Sequence, residues 1–257
     1  MIKIICIGDV VGNEGCEYFE RNIRAVREKY SADLVVVNGE NSSDSNGISR
    51  HSAMRLYDAG ADVITGGNHT FRQRDVYTML DDAGYLVRPA NFPAEAPGVG
   101  YAIVEVKGYR VLVLNVLGSV YMEPLAPAHD VAEKILKNER KRYDIAICDI
   151  HAEATSEKMF FARYFDSRLS AVFGTHTHVA TADAQILPGG CGYITDVGMC
   201  GSHSGILGVK TECIVHKFTL KTPVKFEGSS GECKMCGVYF EIDESSGKCL
   251  KCTRFEA

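Results

Sequence analysis

The chain has 257 residues, 46% of them hydrophobic, enough for one substantial core and a small appendage. Its formal net charge is -5, which does not imply a broad electrostatic grip on nucleic acid. No apolar run approaches the roughly 20 residues of a membrane span, so no membrane association is expected.

The predicted elements begin with "IKIICIG" (2–8), which runs into a Gly-Asp motif and reads as a first strand rather than a signal peptide. With no export signal, Cys6, Cys16, Cys148, Cys191, Cys200 and Cys213 are expected as reduced, buried thiols in a cytoplasmic protein. Next, "EYFERNIRAVREKY" repeats Phe19, Ile23, Val26 and Tyr30 at helical spacing. Further continuous apolar runs follow: "DLVVVNG" (33–39), "ADVITGG" (61–67), "RVLVLNV" (110–116), "DIAICDI" (144–150) and "SAVFG" (170–174). Such runs suit strands covered on both faces. "RQRDVYTMLDDAG" reads as a helix ending at Gly84, and "DVAEKILKNERKRY" as a helix with Asp130 and Glu133 in a capping arrangement. Beyond residue 183 the helical signal disappears. A hairpin is expected around Pro188-Gly189-Gly190, and "TECIVHKFTL" reads as a strand. Strands alternating with helices predict a layered α/β domain.

Polar residues follow the strands. Gly8-Asp9, Gly39-Glu40-Asn41, Gly66-Gly67-Asn68-His69, His151 and the pair His176 and His178 each stand directly after an apolar run. Carboxyl ends of strands in open α/β sheets line ligand crevices, so these residues are expected to converge. A single Asp or His at such a place is commonly a turn or surface residue, but a turn does not explain the repetition at five strand ends. Two carboxylates, two amides and four imidazoles would supply two divalent ions sharing one carboxylate, a donor set suited to Mn, Fe or Zn. His51, His129 and His216 read as structural, and His203 in "GMCGSHSG" stays undecided.

The strings "GDVVG", "GEN", "GGNH" and "GTHTH", in this order, resemble the calcineurin-like metallophosphoesterase superfamily. Val11, Glu40 with Asn41, and Thr70 depart from its common pattern. Those departures, with "HAEATSEK", "GTHTHVATAD" and "YITDVGM", resemble the YmdB-like branch of phosphodiesterases over roughly residues 1–220. The resemblance implies a metallophosphoesterase-type β-sandwich flanked by helices. It implies that Asp9, Glu40, Asn41 and His178 hold one ion, and that Glu40, Asn68, His151 and His176 hold another, with Fe or Mn expected. Asn41 would replace the histidine missing at Val11. The implied reaction is hydrolysis of a small phosphodiester, 2′,3′-cyclic nucleotides first, by a metal-bridging hydroxide with His69 as proton donor. Thr175 and Thr177 are candidates to support the histidines.

The tail "CKMCGVYFEIDESSGKCLKC" carries Cys233, Cys236, Cys249 and Cys252 as two Cys-x-x-Cys pairs. It resembles a zinc ribbon with one structural Zn, disulfide or redox pairs and a rubredoxin-like iron site being the alternatives. The expected division is a metallophosphoesterase domain over 1–222 and a ribbon-like extension over 223–257. Acidic and basic residues balance in the tail, so nucleic-acid binding is not favoured there and a protein contact or structural capping fits as well. A homo-oligomer is compatible with the sequence. The competing functional reading is a nucleotide-sensing regulatory module using the metal site and a ribbon-mediated contact. The proton donor His69 favours an enzyme.

Overall fold

The computed structural model describes residues 1–44 and 46–257. The first run forms β1 (Ile2–Ile7), β2 (Asp9–Val10) and, after Val11, α1 (Gly12–Tyr30). Then come β3 (Leu34–Asn38), α2 (Arg50–Ala59), β4 (Val63–Thr65), α3 (Tyr77–Asp82), β5 (Tyr101–Val106), β6 (Tyr109–Leu117), α4 (Ala128–Asn138) and β7 (Ile145–His151). The chain continues with α5 (Thr155–Tyr164), β8 (Ala171–Thr175), β9 (Gln185–Ile186), β10 (Gly192–Ile194), β11 (Met199–Ser202), α6 (Thr211–Leu220), β12 (Cys233–Ile242) and β13 (Cys249–Glu256).

Two sheets stack face to face. One has the order β2-β11-β12-β1-β3-β4, with β13 paired to β12; the other has the order β5-β6-β7-β8-β10-β9. Strand alternation explains the continuous apolar runs. Ile5 and Ile7 of β1 pack on Phe19 and Ile23 of α1 and Leu56 of α2, whereas Ile4 and Cys6 face Val113, Ile147 and Phe173 of the second sheet. Leu114, Cys148 and Val172 on the outer face of the second sheet pack on Leu136 of α4 and Phe161 of α5. The result is the expected mixed α/β sandwich, in the layer order helix, sheet, sheet, helix. Among the described residues no helix is long and apolar enough to cross a membrane.

Three expectations need correction. First, the tail is not an appended ribbon. Residues 237–242 of β12 pair antiparallel with β1 on one edge and with β13 on the other, while Cys233 to Met235 pair with β11. Val238, Tyr239, Phe240 and Ile242 are buried, and so apolar a strand is stabilised by both sheet faces rather than by a small exposed module. The register also separates the thiols. Cys236 lies opposite Glu256, Cys252 opposite Phe240 and Cys249 opposite Ile242. The levels of Cys236 and Cys252 are therefore four residue steps apart along the strand, or about 13 Å. Cys249 Sγ donates instead to Lys251 O, and Cys252 Sγ to Tyr193 O. One tetrahedral zinc ion cannot collect these four sulfurs.

Second, "TECIVHKFTL" is the helix α6, not a strand. Ile214, Val215 and Phe218 share one helical side, a spacing that also passes for a short β pattern. Third, α4 begins at Ala128 after Pro127 without a side-chain cap, and Asp130 lies inside its first turn. The hairpin around Gly189-Gly190 is present as β9 and β10.

Candidate metal centre

The polar residues gather at the carboxyl ends of β1, β3, β4, β7 and β8: Asp9 and His151 are still paired strand residues, and the others stand where the chain turns away. Asp9 is wholly buried in β2. Its Oδ2 accepts from the His176 amide at 3.0 Å, and its Oδ1 lies 3.6 Å from His178 Nε2. Glu40 follows β3 and is also wholly buried. Its Oε2 accepts from the His69 amide at 2.9 Å, and its Oε1 lies 3.1 Å from His151 Nε2 and 3.3 Å from His69 Nδ1. Asn41 Nδ2 lies between Asp9 Oδ1, Glu40 Oε1 and His178 Nε2 at 3.1–3.4 Å. Its Oδ1 is 3.1 Å from His69 Nδ1.

His151 ends β7. Its Nε2 meets Asn68 Oδ1 at 3.0 Å and His176 Nδ1 at 3.1 Å, besides Glu40 Oε1. Gly67 permits this approach, since a Cβ there would meet the Glu40 carboxylate and the His151 ring. On the loop after β8, His176 Nε2 faces Glu153 Oε2 at 3.1 Å, and His178 Nδ1 donates to Leu207 O at 3.2 Å. Both anchors turn the other ring nitrogen inward. Glu40, His151 and His176 form a group with ligand atoms all within 4.8 Å of one another.

Electrostatics match this geometry. Burial opposes the charged form of Glu40, but the charge and hydrogen bond of His151, then His69, outweigh it and hold the carboxyl well below its usual range. Burial likewise opposes ionisation of Asp9, and His178 outweighs it, lowering the pKa. For His151, burial favours the neutral ring, yet Glu40 and then Asp9 raise its pKa to about 9. Burial, then the neighbouring His151 charge, lowers that of His176. Such a concentration of opposed charges in a dry site suits a divalent cation. The inner nitrogens, the Asn68 oxygen and the Glu40 oxygen are all acceptors of the kind that meet around a metal.

All eight sequence-derived candidates at the strand ends therefore converge: Asp9, Glu40, Asn41, Asn68, His69, His151, His176 and His178. The four tail cysteines do not join them. His203 also stands apart, with its amide donating to Glu232 O and Lys234 and Glu256 as its charged neighbours. Thr175 touches His151 Nδ1 at 2.9 Å as expected, but the Thr177 hydroxyl turns to Val179 O instead of a histidine. Sequence reasoning missed Asn38, Asp149, Glu153, Lys158 and Asp196. The i, i+2 spacing of Asp149 and His151 was the available signal for one of them, since it places both on one face of β7.

A two-sheet α/β sandwich with a buried carboxylate, amide and imidazole centre at its strand ends defines a hydrolase-like metal-site scaffold. The chain belongs to the YmdB-like protein family, whose model matches residues 5–255. That match includes β12 and β13, in keeping with their place inside the main sheet. The chain is 40% identical over 253 residues to the 2′,3′-cyclic-nucleotide 2′-phosphodiesterase of Bacillus subtilis (strain 168), covering 98% of this chain and 96% of the relative. A Thermus thermophilus protein of solved structure superposes with a TM-score of 0.94 at 35% identity, covering 100% of this chain and 99% of the other. A structure described as a novel phosphatase of Mycoplasma pneumoniae matches with a TM-score of 0.93 at 35% identity, over 100% of this chain and 93% of the other.

Proposed function

We propose that the chain is a metal-dependent phosphodiesterase that opens 2′,3′-cyclic nucleotides. It is a phosphoric ester hydrolase, as its relatives' names state, and the observation that carries the finer reading is the convergence of eight polar residues from five strand ends. Asp9, Glu40, Asn41 and His178 would hold one divalent ion, and Glu40, Asn68, His151 and His176 a second, Glu40 serving both. Turning the Asn41 amide over would present Oδ1 in place of Nδ2 to the first ion. Fe or Mn suits this mixed N/O set. Two such ions, when bound, bind phosphate oxygens and acidify water.

The chain's own residues do the rest. Asp9 and Glu40 supply negative charge from a water-excluded floor. His69 stands at the rim, with Glu40 and Asn41 holding its amide and Nδ1. Its remaining nitrogen can protonate the departing alkoxide. Water adds to phosphorus, the bond from phosphorus to the 2′-oxygen breaks, and that oxygen takes the proton, leaving a 3′-phosphomonoester. The five-membered cyclic phosphate is strained, so a single acid suffices for its opening. A cytoplasmic location is part of the proposal, supported by ten cysteines that are all free thiols.

The test compares kcat/KM on 2′,3′-cAMP, 3′,5′-cAMP and a phosphomonoester with the same added Mn²⁺, and identifies the product. Fastest turnover of the 2′,3′-cyclic substrate to the 3′-phosphate is expected. Faster hydrolysis of the monoester would make the enzyme a phosphatase, and binding without turnover of any ester would favour the sensing module.

A further inference from the structure

Asp149 is a wholly buried carboxyl that neither reaches the substrate side nor joins the ligand cluster. Its Oδ1 accepts from Thr175 Oγ1 at 2.7 Å, and its Oδ2 accepts from Thr65 Oγ1 at 2.5 Å and from Asn38 Nδ2 at 2.9 Å. Thr175 Oγ1 also lies 2.9 Å from His151 Nδ1. A hydroxyl has one hydrogen. With that hydrogen directed to Asp149, the Thr175 oxygen presents a lone pair to His151, and His151 Nδ1 must be the donor. Asn38 Nδ2 is 3.4 Å from the same nitrogen, but its two hydrogens have nearer acceptors in Asp149 Oδ2 and Gly66 O, the latter at 3.0 Å. Thr175 thus draws the hydrogen of the neutral ring to Nδ1, against the acceptors Asn68 Oδ1 and Glu40 Oε1 that lie 3.0 and 3.1 Å from Nε2, the atom that also faces His176.

We infer that Asp149 is a positioning residue: by orienting the Thr175 hydroxyl, it selects the tautomer in which His151 turns its bare Nε2 to the metal centre. Asp149 orients the Thr175 hydroxyl and reaches the ring through it. The inference rests on the proposed ligand role of His151, but its tautomer readout does not. Asp149→Asn can place an amide N–H against Thr175, release the hydroxyl hydrogen toward His151 Nδ1 and so move the ring hydrogen to Nε2. Thr175→Val removes the acceptor, and Thr175→Ser restores it.

Nitrogen-15 NMR of the chelator-treated protein at about pH 10, where the imidazole is neutral, reports the tautomer directly. The parent and Thr175→Ser are expected to show the Nδ1–H form of His151, and Asp149→Asn and Thr175→Val to lose it. Calorimetric Mn²⁺ affinity should fall about 10–100-fold in the latter two and recover in Thr175→Ser. If Asp149→Asn does not fold, the Val and Ser pair carries the same comparison. An unchanged Nδ1–H signal in Asp149→Asn or Thr175→Val, or an Nε2–H form in the parent, overturns the inference. The expected tautomer changes with no Mn²⁺ binding in any variant would uphold the Asp149 relay and sink the metal reading.

Discussion

Lys158 Nζ lies 2.7 Å from Asp196 Oδ2, and both side chains are buried beneath the loop that carries His176 and His178. The same ammonium donates to Thr175 O at 2.8 Å, and the same carboxylate accepts from the Thr177 amide at 3.1 Å. The pair thus braces the backbone on both sides of His176. It needs bracing, because His176 and His178 have φ of 103° and 63°, where side-chain-bearing residues are strained by about 1–3 kcal/mol each. Strain here aims two imidazoles inward from adjacent turns.

Lys158→Met should therefore be costly. It leaves the Asp196 carboxylate buried without its counter-charge, a change worth about 3–5 kcal/mol in comparable sites. Urea denaturation should show that loss, and Mn²⁺ affinity should fall with it as the loop loosens. Adding Asp196→Leu to Lys158→Met should recover part of the stability without restoring the affinity. A single-variant loss below about 1 kcal/mol would mean that the pair is not bracing the loop.

The pH dependence of the chelator-treated protein follows from His151. Its folded pKa is raised to about 9, burial being outweighed by Glu40 and Asp9, whereas an unfolded histidine titrates near about 6.5. Between these values the folded state holds a proton that the unfolded chain releases. The contribution is fully present below about pH 6.5 and is lost as pH rises through about 9, so stability should decline across that window by up to about 1.4 kcal/mol per pH unit. Glu40→Gln removes the main source of the shift and should flatten the decline, which separates it from the buried thiols that titrate higher. Because a metal ion must displace the same proton, Mn²⁺ affinity should climb over the same range. A parent denaturation midpoint that holds level or rises there would show that His151 is not protonated in the fold.

The strands β1, β3, β4, β6, β7 and β8 were legible because each is an unbroken apolar run ended by Gly or a polar residue, and the site was legible because five of them, all but β6, lead into a ligand-type side chain. The tail misled for a reason of the same kind. Two Cys-x-x-Cys pairs are a strong local pattern, but pairing partners are non-local, and no motif within residues 233–256 names β1 as the partner of β12. The apolar stretch Val238, Tyr239 and Phe240 was the counter-signal. Lys158 and Asp196 were hidden by the rule that charged residues lie outside, which buried ion pairs break. Asp149 was hidden because a carboxylate inside an apolar strand has no motif beyond its i, i+2 spacing from His151; its neighbours Thr65, Thr175 and Asn38 show what it does.

Binding and chemistry should separate at Glu40 and His69. Glu40→Ala removes a buried carboxylate that faces His151, His69 and Asn41, so metal content and turnover should disappear together. His69→Ala removes a rim imidazole that is 21% exposed and should keep the metals while turnover falls about 10²–10⁴-fold. Elemental analysis beside steady-state kinetics checks both. Near-normal kcat in His69→Ala would take that residue out of the reaction.

The tail gives the sharpest structural test. An appended ribbon could be removed to leave a folded enzyme, whereas β12 cannot. Deleting residues 233–257 would strip the antiparallel partner from β1 along Ile2 to Ile7 and uncover Ile4 and Cys6 between the sheets. The shortened chain is expected to be insoluble or unfolded by circular dichroism. Phe240→Ala probes the same packing more gently. Phe240 is wholly buried in the inter-sheet core, and its truncation should cost about 3–5 kcal/mol. Replacing Cys233 and Cys236 by Ser should leave the content of every metal unchanged, since the register holds those thiols away from Cys249 and Cys252. Loss of one equivalent of zinc from that double variant, or a soluble and active deletion, would mean that the tail folds as a separate metal-bound unit and that its place in the sheet is not what stabilises it.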